Sequence, residues 1–260
     1  MTKFARMLDV LDLFSESTTL LTAEDIATRL EISRPTAFRY VRELSASGFL
    51  ANYSGSYSLG ARIVTLDYRI RASDPVLKEA RPVMRILSAE TGCTSILCRM
   101  YNEEVINVHH EAGYDDAALA FAGRGRPLPL FRGSASKIML AYLSTPRLKK
   151  LYERHRDYAD VRAIGRDWAA FRTYFSAVRQ QGYYISKEEI DTGTMGIAAP
   201  LIVPRVGMVG SMSLVFSMER LAIVNTDGLA AILKVRNGDI TSRLHLLSEQ
   251  AQSKESRSQD

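Results

Sequence analysis

The feature that most restricts this chain is a helix, a three-residue break and a second helix, closed by a short hairpin, all within residues 22–59. Thr22-Ala23-Glu24-Asp25 has the form of an N-cap with an acidic first turn, and Ile26, Ala27 and Leu30 fall on one side of the helix it opens, over about 23–30. Glu31-Ile32-Ser33 leaves room only for a tight turn. Ser33 then caps a second helix with Pro35 in its first turn, where the missing N–H costs no hydrogen bond, and the helix runs to about Ser47 before Gly48 stops it. Phe49–Leu59 reads as two short strands around a Ser54-Gly55 turn. Upstream, Phe4, Met7, Leu8, Leu11 and Phe14 repeat at helical spacing across residues 4–16. Three short helices and a hairpin in this order outline a winged helix-turn-helix.

The second helix of such a unit carries the chemistry. With Ala37 as origin and 100° per residue, Val41 and Leu44 fall at about 40° and about 340° and make a buried stripe with it, while Arg42 and Arg39 fall at about 140° and about 200°. Both arginines therefore face away from the unit's own core. Such a pair is suited to guanine edges in a major groove, where a good bidentate contact contributes about 1–3 kcal/mol of discrimination. Ser33, Arg34 and Thr36 at the helix start face either a base edge or a phosphate. Ser56 and Tyr57 can touch phosphate from the hairpin, whereas Tyr53 serves equally well as a packing residue. An exposed arginine pair on an arbitrary helix is usually a solvated face; the tight turn, Pro35 and the hairpin in sequence order argue for the DNA-reading assignment here.

Beyond the hairpin, Ile63, Leu66 and Ile70 mark a further helix over 61–73, which Ser73-Asp74-Pro75 ends. The remainder mixes periods. Helical spacing covers about 76–90, 133–143, 146–155, 167–181 and 221–248, and strand-like runs cover Thr94–Met100, Glu104–Glu111, 117–121, Pro127–Phe131, Tyr183–Ser186, Gly196–Val203 and Met208–Phe216. The expected class is α+β: a winged helix-turn-helix over 1–60, a linker helix over 61–73, a sensing domain over 74–250 and a frayed polar tail over 251–260.

Charge alone does not locate a partner. The net charge is +5, but residues 1–72 hold nine Lys/Arg against eight Asp/Glu, so any contact with nucleic acid depends on where the cations stand. Cys93 and Cys98 are too few for a disulfide framework and alternate to opposite faces of a strand. His109-His110, His155 and His245 make no metal-ligand spacing, and no metal or cofactor is expected. Apolar runs fall short of the roughly 18 residues of a membrane helix, and no basic-then-apolar leader opens the chain, so the expected location is cytoplasmic without a membrane partner.

The chain resembles the isocitrate lyase regulator (IclR) family of bacterial transcription factors over nearly its whole length. The resemblance rests on Thr22–Ala27, Ser33–Tyr40 and Gly48-Phe49-Leu50, and more specifically on Leu128-Pro129-Leu130, Gly133–Ala141, Gln181–Tyr184, Glu188-Glu189 and Gly196–Pro200. It implies a GAF-like effector domain, dimers or tetramers on near-palindromic duplex operators, and a small-molecule effector. Carried onto this chain, the effector pocket would be lined by Ser134 and Ala135 in the loop before a helix, by Ser186, Gly196 and Ser213 from facing strands, and by Ala117 and Ala120 as an apolar wall. Independently of the family, small residues opening a helix expose N–H groups that suit a carboxylate, and the expected effector is an organic acid. The chain departs from the family pattern at Ser136, where glycine is usual, at Ser186, where an acidic residue is common, and at Gly196, where a larger side chain often sits.

Two other readings remain at the level of sequence. Ser134 and Lys137 fit the Ser-x-x-Lys pattern of acyl-enzyme hydrolases, but no lysine in the chain precedes Thr-Gly, the usual companion motif. The chain can also be read as a metabolite-binding protein whose small domain touches proteins rather than DNA. Neither accounts for the outward arginines, and no enzymatic activity is expected.

Overall fold

The computed structural model describes residues 3–114 and 123–257, and the chain divides into two compact units, Met1–Asp74 and Pro75–Asp260. In the first unit α1 (Lys3–Leu8) gives way to a 3-10 turn at Leu11–Leu13, so the helix expected over 4–16 is interrupted. The burial differs from the expected stripe as well: Val10 is fully buried in the core with Ile26, Val41 and Leu44, whereas Phe4 and Leu8 are exposed.

β1 (Leu21–Thr22) leads into α2 (Ala23–Arg29), which opens with a complete capping box: the Asp25 N–H donates to Thr22 Oγ1 at 3.1 Å and the Thr22 N–H to Asp25 Oδ2 at 2.9 Å. Glu31 takes a positive φ of 51° in the tight turn, and α3 (Arg34–Ala46) starts three residues later. Ser33 holds the N-cap position of α3, but its hydroxyl bonds the Thr36 hydroxyl at 2.9 Å rather than a backbone N–H. β2 (Leu50–Tyr53) and β3 (Ser56–Leu59) form the hairpin around Ser54 and Gly55, both at positive φ as a tight two-residue hairpin turn requires. β1 adds a third strand on β3, with Leu21 opposite Tyr57. α4 (Ala61–Ser73) follows and buries none of its residues.

The second unit is one antiparallel sheet between two helical layers. After α5 (Pro75–Thr91) come β4 (Thr94–Tyr101), β5 (Glu104–Glu111) and β6 (Pro127–Leu128). Then α6 (Ser134–Ala141), α7 (Thr145–His155), α8 (Ala159–Ile164) and α9 (Trp168–Gln181) precede β7 (Tyr184–Lys187), β8 (Thr194–Val203), β9 (Gly207–Ser217) and the closing α10 (Thr226–Arg257). The strand order is β6-β5-β4-β9-β8-β7. Alternation along the strands separates two cores. Leu97, Ile197, Met212 and Leu214 pack with α5 and α10, whereas Ile96, Cys98 and Ala198 pack on the other face with α6, α7 and α9. The two buried cysteines fall in different cores, Cys93 in the first and Cys98 in the second. Burial pushes the Cys98 thiol up to about 12.

Three further elements depart from expectation. α8 lies between the helices expected over 146–155 and 167–181, where no element is expected, and α10 continues to Arg257 where a frayed tail is expected, because Gln, Lys, Glu and Arg all favour helix once one is under way. The strand expected over Pro127–Phe131 is only two residues long, since Phe131 turns into the core beneath α6. Among the described residues no helix is long and apolar enough to cross a membrane.

Candidate functional site

On α3 the side chains divide as the helical period requires. Ala37, Val41 and Leu44 are buried, and Ser33, Arg34, Phe38, Arg39 and Arg42 are exposed. Thr36 is half-buried beside Ser33. The Arg42 guanidinium lies 3.5 Å from Glu43, a solvent-screened pair of small energetic weight, and the Arg39 guanidinium stands 5.6 Å from the Tyr40 ring. On the hairpin the tyrosines take unequal roles. Tyr57 is half-buried against the core because it lies opposite buried Leu21, Ser56 is half-buried beside it, and Tyr53 stands out at 62% exposure.

In the second unit Ser134, Ala135, Ser186, Gly196 and Ser213 line one cavity of about 60 Å³ that is partly open to solvent. Strand register brings them together. Ser186 pairs with Gly196, Gly196 with Val215, and Ala198 with Ser213, so Ser186, Gly196 and Ser213 share the sheet face on which α6 lies. Ile96, Cys98, Leu128 and Val215 supply apolar walls, and the loop after β7 adds Glu189, Ile190 and Asp191. Ala117 and Ala120 lie outside the described residues.

Gly196 is where the helix start meets the sheet. A Cβ there would lie 2.7 Å from Ser134 Oγ and 3.0 Å from Ser186 Oγ, so any side chain would push into the cavity. Ser186 Oγ donates to the Gly196 carbonyl at 3.4 Å. Ser213 is 2% exposed, and its Oγ has no hydrogen-bond partner among the described residues.

Glu189 anchors the rim. Its Oε2 accepts the Gly133 N–H at 2.8 Å and lies 2.8 Å from Lys137 Nζ, while Oε1 accepts the Tyr184 hydroxyl at 2.8 Å. Tyr184 in turn accepts from Tyr174 at 2.8 Å and from Lys137 at 3.0 Å. Burial first, then the bonds to Tyr174 and Glu189, hold the Tyr184 phenol above its ordinary value. The Lys137 ammonium thus lies against Glu189 and Tyr184. Sequence reasoning quotes Glu188-Glu189 as a family motif but gives Glu189 no role; its partnership with Lys137 spans too much chain for local spacing to reveal.

His109 Nε2 lies 2.8 Å from Glu111 Oε1, and among the described residues no group of His, Cys, Asp or Glu could hold a metal. Arg124, in the basic turn at 123–126, donates to the Val108 carbonyl and stitches that turn to β5.

Residues 70–241 match the family model for the bacterial transcriptional regulator IclR C-terminal domain, and residues 5–52 match that for the IclR helix-turn-helix domain. The HTH-type transcriptional regulator XynR of Escherichia coli (strain K12) is 27% identical over 198 residues, 75% of this chain and 78% of that protein. An IclR family transcriptional regulator from Brucella abortus superposes with a TM-score of 0.74 at 21% identity, over 94% of this chain and 92% of that one. An IclR homolog from Microbacterium hydrocarbonoxydans, solved in complex with 4-hydroxybenzoate, superposes with a TM-score of 0.75 at 21% identity, over 94% and 100% of the two chains. At those identities the superpositions speak to the fold.

Proposed function

Since this chain belongs to the IclR family of bacterial transcriptional regulators, we propose that the effector controlling its DNA binding is an organic acid seated between α6 and β7–β9, and that it acts in the cytoplasm as a homodimer on a near-palindromic operator. Ser213 carries the effector assignment. A buried hydroxyl left unpaired costs about 1–3 kcal/mol, and this one lines the same cavity as the first turn of α6, whose leading N–H groups have no carbonyl within the helix. A carboxylate satisfies both, favoured by the helix dipole. Glu189 offers limited opposition to an anion, because Lys137 already lies against it. The apolar walls suit the body of a small aromatic or aliphatic acid, and the 4-hydroxybenzoate complex of the Microbacterium relative makes that acid the first probe.

The dimer is supported by α4. A 13-residue helix in which Ile63 and Leu66 are only half-buried and no residue is fully buried is marginal in water. Val64 and Tyr68 are each 72% exposed, so a second copy supplies the missing packing. On DNA, Arg39 and Arg42 are assigned to base edges, Arg34 and Ser33 with Thr36 to the helix-start contacts, and Ser56 and Tyr57 to phosphate. Coupling of about 1–3 kcal/mol between the effector and DNA sites suffices for regulation. Lys137 has no catalytic assignment, and the protein works by binding alone.

The test is calorimetric titration of the full chain with 4-hydroxybenzoate, with short aliphatic acids and with the matching amides. Acids binding at least tenfold more tightly than their amides support the assignment; equal affinity for acid and amide overturns it.

A further inference from the structure

Phe38 is the unexplained residue of α3. It is 50% exposed and stands outside the hydrophobic core of its unit. Covering the exposed half of this ring is worth about half of the roughly 1.5–3 kcal/mol that full burial of a phenylalanine contributes, so a partner that covers it gains affinity. Its position says which. At about 100° on the α3 wheel it stands one turn from Arg34 and one turn from Arg42, on the arc that also carries Arg39. The ring is therefore bracketed by cations, a setting that disfavours a second copy of the same cationic face and favours a polyanion.

We infer that Phe38 reads thymine: its ring packs on the C5-methyl group of a thymine in the major groove while the neighbouring arginines engage guanine and phosphate. Thymine is the one base that presents a methyl group there, and an apolar side chain is the chemistry that recognises it. The inference rests on α3 as the DNA-reading helix and adds to it a specificity that arginines cannot supply. Each half-site then carries a thymine adjacent to its guanine contact.

The experiment selects duplexes from a random pool with the full-length protein and then replaces each thymine of the enriched site, one at a time, by deoxyuridine, which deletes only the methyl. For the wild-type chain one thymine per half-site is expected to lose about three- to fivefold in affinity on this replacement. In Phe38→Ala the two duplexes are expected to bind equally, and in Phe38→Leu part of the penalty returns. Because the readout is a ratio of two duplexes measured with one protein, a general weakening of the variant cannot imitate it. A wild type indifferent to deoxyuridine everywhere, or a Phe38→Ala variant that keeps the full penalty, overturns the role of Phe38 while leaving α3 as the reading helix. A pool in which nothing is enriched overturns both.

Discussion

Lys137 of α6 and Glu189 of the loop after β7 meet at 2.8 Å, and Glu189 simultaneously accepts the Gly133 N–H that precedes α6. The pair fastens the loop over the cavity to the helix that forms its opposite wall. Lys137→Met leaves the Glu189 carboxylate largely buried without a cation, and the expected loss in urea unfolding is about 2–4 kcal/mol, below the figure for a fully buried pair because Glu189 keeps some contact with water. Lys137→Met combined with Glu189→Leu is expected to cost less than the single change. A double variant as unstable as the sum of both singles would sink the coupling.

Gly196→Val places branched carbon where Ser134 Oγ and Ser186 Oγ already stand at 2.7 and 3.0 Å from a Cβ. Calorimetry is expected to show effector affinity reduced at least tenfold, whereas Gly196→Ala, which the two hydroxyls can partly yield to, loses less. Undiminished binding by the valine variant would remove the sheet floor from the site.

The first residue and the middle of α3 are expected to separate in operator titrations. Arg39→Ala should flatten base preference at one position, by about 1–3 kcal/mol. Arg34→Ala, where the side chain meets phosphate, should weaken all duplexes alike and reduce the salt slope by about one. Unaltered discrimination in Arg39→Ala would exclude it from base contact.

Hydrogen bonds from the Thr22 side chain and then its backbone hold the Asp25 carboxyl below its ordinary value of 3.8. A carboxyl depressed by folding contributes its stability in full above the unfolded value and loses it as the pH falls through the folded one. Thr22→Ala removes the side-chain bond, so a carboxyl NMR titration should find the Asp25 midpoint moved upward, with a lower melting temperature at neutral pH. A midpoint that stays put would show that the cap does not set it.

Tyr68→Glu puts a charge on the open face of α4, where Tyr68 and Val64 are both 72% exposed. Sedimentation is expected to shift toward monomer, with weaker binding to a two-half-site duplex than to wild type's. An unchanged sedimentation coefficient would place the dimer contact elsewhere.

The helix-turn-helix was legible because everything that defines it is local: the Thr22 capping box, the Glu31 turn and the Ala37-Val41-Leu44 stripe each occupy a few consecutive residues. Apolar spacing extends α1 past its end because it counts Phe4 and Leu8 as inward, whereas both are exposed and the helix stops at Leu8. The strand side of the cavity is reachable from the sequence only through family motifs. Nothing in the spacing of Ser186, Gly196 and Ser213 tells that a sheet sets them side by side, and Lys137 with Glu189 is a long-range pair that no periodicity encodes. Phe38 carries no signal in the sequence for a different reason: an apolar residue on the outward arc gains meaning only once the fold leaves it exposed.

The floor of the cavity is a consequence of strand register as much as of residue choice. β8 is covered on both sides, with Ile197 and Ala199 serving one core and Ala198 the other, so a shift of a single residue would rotate Ile197 into the space that Gly196 leaves open. Two connections hold this alignment, the 188–193 loop to β7 and the short 204–206 turn to β9, in which Arg205 takes a positive φ of 64°. A change of ligand preference in this architecture is therefore made by exchanging side chains on strands that stay in place, not by sliding one strand past another.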